Sequence, residues 1–169
     1  MASIYIITGP AGVGKSTVSK GIAEKLERSV LLEGDDFYHQ VIGGYVQAWK
    51  PGNHLNIFWK VCLDTINNYL NDGYDVVFNY IISKDKFIEL KKIFENVEAK
   101  FVVLLVDEET ILKRDRNRPR EHQMKERSLI LLNKFLSNNY DEKYILYTDK
   151  LTINQTIEEI INNEKYYIK

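Results

Sequence analysis

The sequence predicts an α/β domain of three layers, with helices on both faces of a five-stranded parallel sheet. Five short apolar runs alternate with segments of helical period along the whole chain, the pattern of parallel strands joined by right-handed helical crossovers. The first apolar run stops at a glycine-rich turn that opens directly into a helical stripe. The chain has 169 residues, enough for one domain that buries about two thirds of its unfolded surface without disulfide or metal staples.

In chain order, Ser3–Thr8 is a β-branched run and reads as the first strand. Val18, Ile22, Ala23 and Leu26 then form one stripe of a helix over about Lys15 to Arg28, with Gly21 beside it marking a close approach. Ser29–Glu33 is the second strand, and a short helix is expected from there towards Gly43 and Gly44. Gly43 to His54 has no period and reads as a loop. Leu55, Phe58, Trp59, Cys62, Ile66, Tyr69 and Leu70 hold helical spacing up to a stop at Asp72-Gly73, with Trp59 and Cys62 on the core stripe.

Tyr74 to Ile82 reads as the third strand, Ser83 as the cap of the following helix, and Lys100 to Val106 as the fourth strand. Asp107 is placed to cap a helix with Glu108 and Glu109 in its first turn, which should break near Pro119. A helix over about Gln123 to Asn138, a fifth strand at Tyr144 to Thr148, and a last helix opened by a Thr152/Gln155 capping box complete the chain. The expectation is one domain over residues 1–169.

Composition removes several function classes. With 23 Lys+Arg against 24 Asp+Glu, the net charge of −1 argues against global electrostatic binding to nucleic acid or membrane. The single cysteine, Cys62, cannot form an intramolecular disulfide, and Met1 is followed by no secretory leader, so a reduced, cytoplasmic protein is expected. Apolar runs such as Phe101 to Val106 are far too short to span a bilayer. Isolated Cys and His residues form no metal-ligand spacing, so any metal is expected to arrive with a phosphate.

Gly9-Pro10-Ala11-Gly12-Val13-Gly14-Lys15-Ser16 fits G-x-x-x-x-G-K-[ST], immediately after a strand and at a helix start. Such a loop wraps backbone N–H groups of Gly9, Ala11, Gly12, Val13 and Gly14 around a β-phosphate. The helix N-terminus adds partial positive charge, Lys15 bridges the β- and γ-phosphates, the Ser16 hydroxyl ligates Mg²⁺ and Thr17 reaches the α-phosphate. ATP or GTP binding is the function these residues predict.

Glu33-Gly34-Asp35-Asp36 ends the second strand, where open α/β sheets place their ligand crevice. Asp35 is the candidate for orienting an attacking hydroxyl or accepting its proton, and Asp36 for capping the next helix; either acid can also be an ordinary turn residue. Lys113 to Arg120 gathers five cations around a helix end, and Arg114 and Arg118, four apart, share a helical face. They read as a lid over about 114–123 that stabilises charge on a transferring phosphoryl group, against the alternatives of a solvated helix end or a nucleic-acid patch. His39, Tyr45, Trp49 and His54 fall in an acceptor-side segment of about 36–54 that should overhang the crevice.

On these motifs, from IYIITGPAGVGKST through LLEGDDF and VIGGY to LKRDRNR and YTDKLT, the sequence resembles the small P-loop kinases of the shikimate, gluconate, adenylylsulfate and nucleoside-monophosphate kinase group. Within it the chain is most similar to bacterial AAA-type ATP-binding proteins labelled gluconate kinase. The resemblance implies a P-loop NTPase domain with strand order 2-3-1-4-5, Asp35 facing the acceptor, Arg114 and Arg118 as lid arginines, and the loop Thr148 to Lys150 near adenine. It implies an ATP- and Mg²⁺-dependent phosphotransferase acting on a hydroxyl of a small polar metabolite or drug-like molecule. One departure stands out: Asn79 ends the third strand where many relatives carry an Asp, and a neutral amide lends a metal no charge. The rival readings are a polynucleotide 5′-kinase and a nucleotide-binding switch or slow ATPase that acts through a protein partner.

Overall fold

Strands with little polar character at either face need cover on both sides, and the chain supplies it. The computed structural model describes residues 2–117, 120, 123 and 125–168. Five parallel strands, β1 (Ser3–Thr8), β2 (Ser29–Glu33), β3 (Asp75–Asn79), β4 (Glu98–Leu105) and β5 (Ile145–Tyr147), form one sheet in the order β2-β3-β1-β4-β5. The predicted architecture and strand order are therefore those observed. β1 lies at the centre, with Ile6 opposite Phe78 of β3 and Phe101 of β4.

Alternation along the strands sorts the core into two clusters. Ile4, Ile6, Val76, Phe78, Phe101 and Val103 face α3 (Leu55–Asn71) and α4 (Lys84–Ile93). Tyr5, Ile7, Val77, Val102 and Leu104 face α1 (Lys15–Lys25) and α7 (Ile153–Asn162). Gly21 permits the α1/α7 contact, since a Cβ there would lie 2.2 Å from the Ile157 side chain. The remaining helices are α2 (Gly34–Tyr38), α5 (Glu108–Arg116) and α6 (Glu126–Ser137).

Caps behave largely as the side chains dictate. Ser83 and Asp107 accept from Lys86 N at 3.2 Å and Thr110 N at 2.6 Å, and Thr152 and Gln155 form the expected reciprocal box. Asp36 does not cap: α2 starts at Gly34 with Glu33 as its flanking residue, which puts Asp36 inside the first turn. That helix stops at Tyr38 rather than near Gly43. α1 ends at Lys25 rather than Arg28, because the Ser29 hydroxyl donates to the Ala23 carbonyl at 2.6 Å and starts the reversal into β2. β3 ends at Asn79 rather than Ile82, since β1 ends at Thr8; the Ile82 N–H donates instead to the Thr8 hydroxyl at 2.9 Å. α5 ends at Arg116, and α6 starts three residues after Gln123.

Candidate active site

The carboxyl ends of β1, β2 and β3 meet the start of α1, and the glycine loop, Ser16, Glu33 and Asp35 lie along that edge. Gly9, at φ 144°, leaves β1 pressed against β4: a Cβ there would lie 2.4 Å from the Leu104 carbonyl oxygen. Gly14, in the left-handed region at φ 100°, flanks α1, and no side chain caps that helix. Its first-turn N–H groups are thus left to a ligand, and the helix dipole favours an anion there. The Lys15 ammonium donates to the carbonyls of Gly9 (2.9 Å) and Pro10 (3.0 Å), which holds its charge against the loop backbone. Val13 is buried beneath the loop, whereas Ser16 and Thr17 are exposed.

Ser16 Oγ donates to Glu33 Oε2 at 3.0 Å. Sequence reasoning gave Glu33 no role, although it closes β2 at the same sheet edge as the loop. In the β2/β3 register Glu33 stands opposite Asn79, so a carboxylate from the neighbouring strand lies beside the neutral amide. Asn79 is buried and its amide nitrogen has no hydrogen-bond partner among the described residues. A hydroxyl and a carboxylate are hard oxygen donors of the kind Mg²⁺ takes together with phosphate oxygens, and the unpartnered amide can hold a ligating water. The residues present therefore fit the ion. Among the described residues no group of three or more His, Cys, Asp and Glu side chains gathers to hold a metal without such help.

Arg114 reaches the loop from α5: its Nη1 donates to the Val13 carbonyl at 2.8 Å. Arg118, the other lid arginine, lies outside the described residues. Asp115, the acid within the basic run, is buried and accepts from the Lys125 N–H at 2.7 Å, where the chain turns into α6 at positive φ. This anchor was hidden in sequence by the cations around it.

Asp35 is exposed and lines a cavity of about 710 Å³, whereas Asp36 does not. Tyr38, His39, Tyr45, Trp49, Trp59 and Tyr80 also line it. Tyr38 organises the loop beyond α2, its hydroxyl donating to the Val46 carbonyl at 2.7 Å. His54 does not line the cavity; it stacks on Tyr38 with centroids 4.0 Å apart, and its Nε2 donates to the Tyr38 carbonyl at 3.1 Å. Trp59 belongs to the core, as expected, and also presents an edge to the cavity. Tyr80 packs against the acidic turn, so close that a Cβ on Gly34 would lie 2.5 Å from its ring. Burial pushes the Tyr80 phenol well above its ordinary range, and the Asp35 carboxylate adds to that shift. Tyr80 and Arg127, which also lines the cavity, come from distant segments and carry no local motif.

Known structures share this arrangement of strands and helices. The chain superposes on the Deinococcus radiodurans tunicamycin resistance protein with a TM-score of 0.69 at 20% identity, covering 95% of this chain and 94% of that one. On a gluconokinase from Sinorhizobium meliloti 1021 the TM-score is 0.63 at 23% identity, with 94% and 89% covered. Part of a Pnkp1/Rnl/Hen1 RNA repair complex matches with a TM-score of 0.66 at 17% identity, covering 83% of this chain and 46% of that one. At such identities the likeness is one of fold. No curated protein sequence matches. Residues 4–137 match the AAA domain family, so the chain belongs to that family.

Proposed function

We propose that the protein transfers the γ-phosphoryl group of ATP to a hydroxyl of a small molecule, in the cytoplasm. The observation that carries this reading is the placement of Asp35: it lines the cavity while the residue two before it, Glu33, touches the Ser16 hydroxyl of the glycine loop. One short turn thus connects a nucleotide end and an acceptor end. The uncapped start of α1 and the glycine loop bind the phosphates, and Lys15 neutralises charge on them. Ser16 and Glu33 would hold Mg²⁺, which when bound neutralises phosphate charge. Asp35 orients the acceptor hydroxyl and takes its proton, and Arg114, tied to the loop through Val13, steadies charge over the transferring group. Because the transition state is loose, positioning and charge neutralisation carry most of the rate.

The test is incubation of the full chain with Mg²⁺, radiolabelled ATP and a panel of hydroxyl compounds, for the wild type and for Asp35→Asn. A labelled small product is expected, with transfer falling by about 10²- to 10⁴-fold in Asp35→Asn while ATP affinity is kept. ATP hydrolysis with no labelled product would instead favour the switch or slow ATPase. The fold likeness to part of an RNA repair complex, with the basic run at Lys113–Arg120, favours one second reading, transfer to a polynucleotide 5′-hydroxyl. Under that reading binding of an oligonucleotide should weaken steeply with salt.

A further inference from the structure

We infer that the acceptor carries a planar aromatic or heteroaromatic ring beside its reacting hydroxyl, and is not an open-chain polyol or sugar acid. This inference rests on the phosphotransferase reading and names the substrate class for the same site. Four observations lead to it. The cavity beyond Asp35, at about 710 Å³, has room for a drug-sized molecule and far more than a six-carbon sugar acid fills. The walls nearest the acidic turn and the overhanging loop are ring faces and edges, from Tyr38, Tyr45, Trp49, Trp59 and Tyr80.

Trp49 is the third observation. The Arg127 guanidinium lies over its ring at 3.6 Å from the centroid, yet the residue remains 62% exposed. One planar group is thus already stacked on the indole, and much of its surface still faces outward; an exposed tryptophan held on one side is a platform for a second flat group. Fourth, the loop that carries Tyr45 and Trp49 is fastened down by the Tyr38–Val46 bond and by His54 beneath Tyr38. The platform is formed before a ligand arrives, so less ordering cost opposes binding. Polar side chains, among them His39, Asn56, Lys86 and Glu89, line other parts of the cavity and suit polar substituents of the acceptor, whereas the ring faces offer a polyol no partner for hydroxyls laid against them. A flat ring needs only area and loses little.

In the transfer, the acceptor oxygen forms a bond to the γ-phosphorus of ATP while the bond from that phosphorus to the bridging oxygen breaks. ADP leaves with the bond electrons, and the hydroxyl proton passes to the Asp35 carboxylate and then to water.

The experiment compares four acceptors with radiolabelled ATP and Mg²⁺: 1-phenyl-1,2-ethanediol and uridine, which bear a ring, and gluconate and glycerol, which do not. A ring-bearing acceptor should show kcat/KM at least about tenfold above both others. Trp49→Ala should raise the KM for that acceptor by about 5- to 100-fold, the range expected for loss of one stacking contact. Trp49→Phe should recover most of it, and neither change should act chiefly through kcat, as a merely structural role would. Transfer to gluconate or glycerol at equal or better kcat/KM, still dependent on Asp35, would overturn the ring while leaving the phosphotransferase reading intact. Preference for an oligonucleotide bearing a 5′-hydroxyl, assayed beside these four, or an unchanged KM in Trp49→Ala, would overturn it as well. No labelled product from any acceptor, together with tryptophan fluorescence that no ring-bearing probe perturbs, would remove both readings at once.

Discussion

The two ends of the crevice are built in opposite ways. The end proposed to bind phosphate is backbone: eight consecutive residues, Gly9–Ser16, turn β1 into α1, and one side chain, Lys15, bonds back onto the turn it came from. The acceptor end is side chain: Asp35, Trp49, Trp59, Tyr80 and Arg127 converge from five separate parts of the chain. A backbone site can be specified by a short string, because glycine positions and a helix start fix its geometry. A side-chain site is specified only by the whole fold. Under the proposed function, the phosphate end would keep its chemistry while the acceptor end is free to vary, the general way in which one fold serves many acceptors.

The sharpest way to break that contrast is at Lys15. Lys15→Ala should lower turnover by about 10³-fold, as removal of a preorganised charge partner in a phosphoryl site does, while the melting temperature stays where it is; near-normal turnover in the folded variant would disprove the nucleotide site. Next comes the lid. Arg114→Ala should cut kcat by about 10²-fold with a smaller change in ATP affinity, since an interaction made chiefly in the transition state acts on the chemical step. Arg116→Ala, on the exposed side of the same helix, should do far less, and equal losses at both positions would point to a general cationic surface.

Stability should divide the two ends in the same sense. Gly9→Ala places a Cβ against the Leu104 carbonyl at a φ that side chains avoid, and should cost about 3 kcal/mol by urea denaturation. Gly43→Ala in the acceptor-side loop meets nothing within 4 Å and should change stability by less than about 0.5 kcal/mol. A large cost at Gly43 would show that the loop is more tightly specified than its contacts say. The smallest effect concerns Cys62, which is buried, its thiol pushed up to about 12 by desolvation. The thiolate is the reactive form, so a thiol reagent at pH 8 should titrate no cysteine in the native protein and one in urea; labelling of the native protein would mean that the α3 face opens.

Much of the molecule was legible in the sequence for reasons that follow from this division. Strand limits at Ser3–Thr8 and Ser29–Glu33 were readable because each apolar run ends at a glycine or turn, and the caps at Ser83, Asp107 and Thr152 because a cap is a contact over three residues. β3 was read three residues too long since Tyr80 and Ile82 are as apolar as a strand; where it stops is set by the length of β1 beside it. Glu33 went unassigned because its partner, Ser16, is 17 residues away and lies on a helix. Arg127 was missed for the same kind of reason: its stacking on Trp49 crosses from α6 to the acceptor-side loop, and no periodicity records such a meeting.

The close seat of Gly34 under Tyr80 has a consequence for anyone who would retarget the protein. Glu33 and Asp35 are held apart by a residue that admits no side chain, and the spacing between the carboxylates proposed for metal and for acceptor is therefore a fixed ruler, set by backbone and locked by an aromatic ring. Diversity introduced at Tyr45 or Trp49 can reshape what the cavity accepts without moving that ruler. A library that touches position 34 would instead push the ring off the turn and lose alignment before selectivity could change, so libraries should randomise the overhanging loop and leave the turn alone.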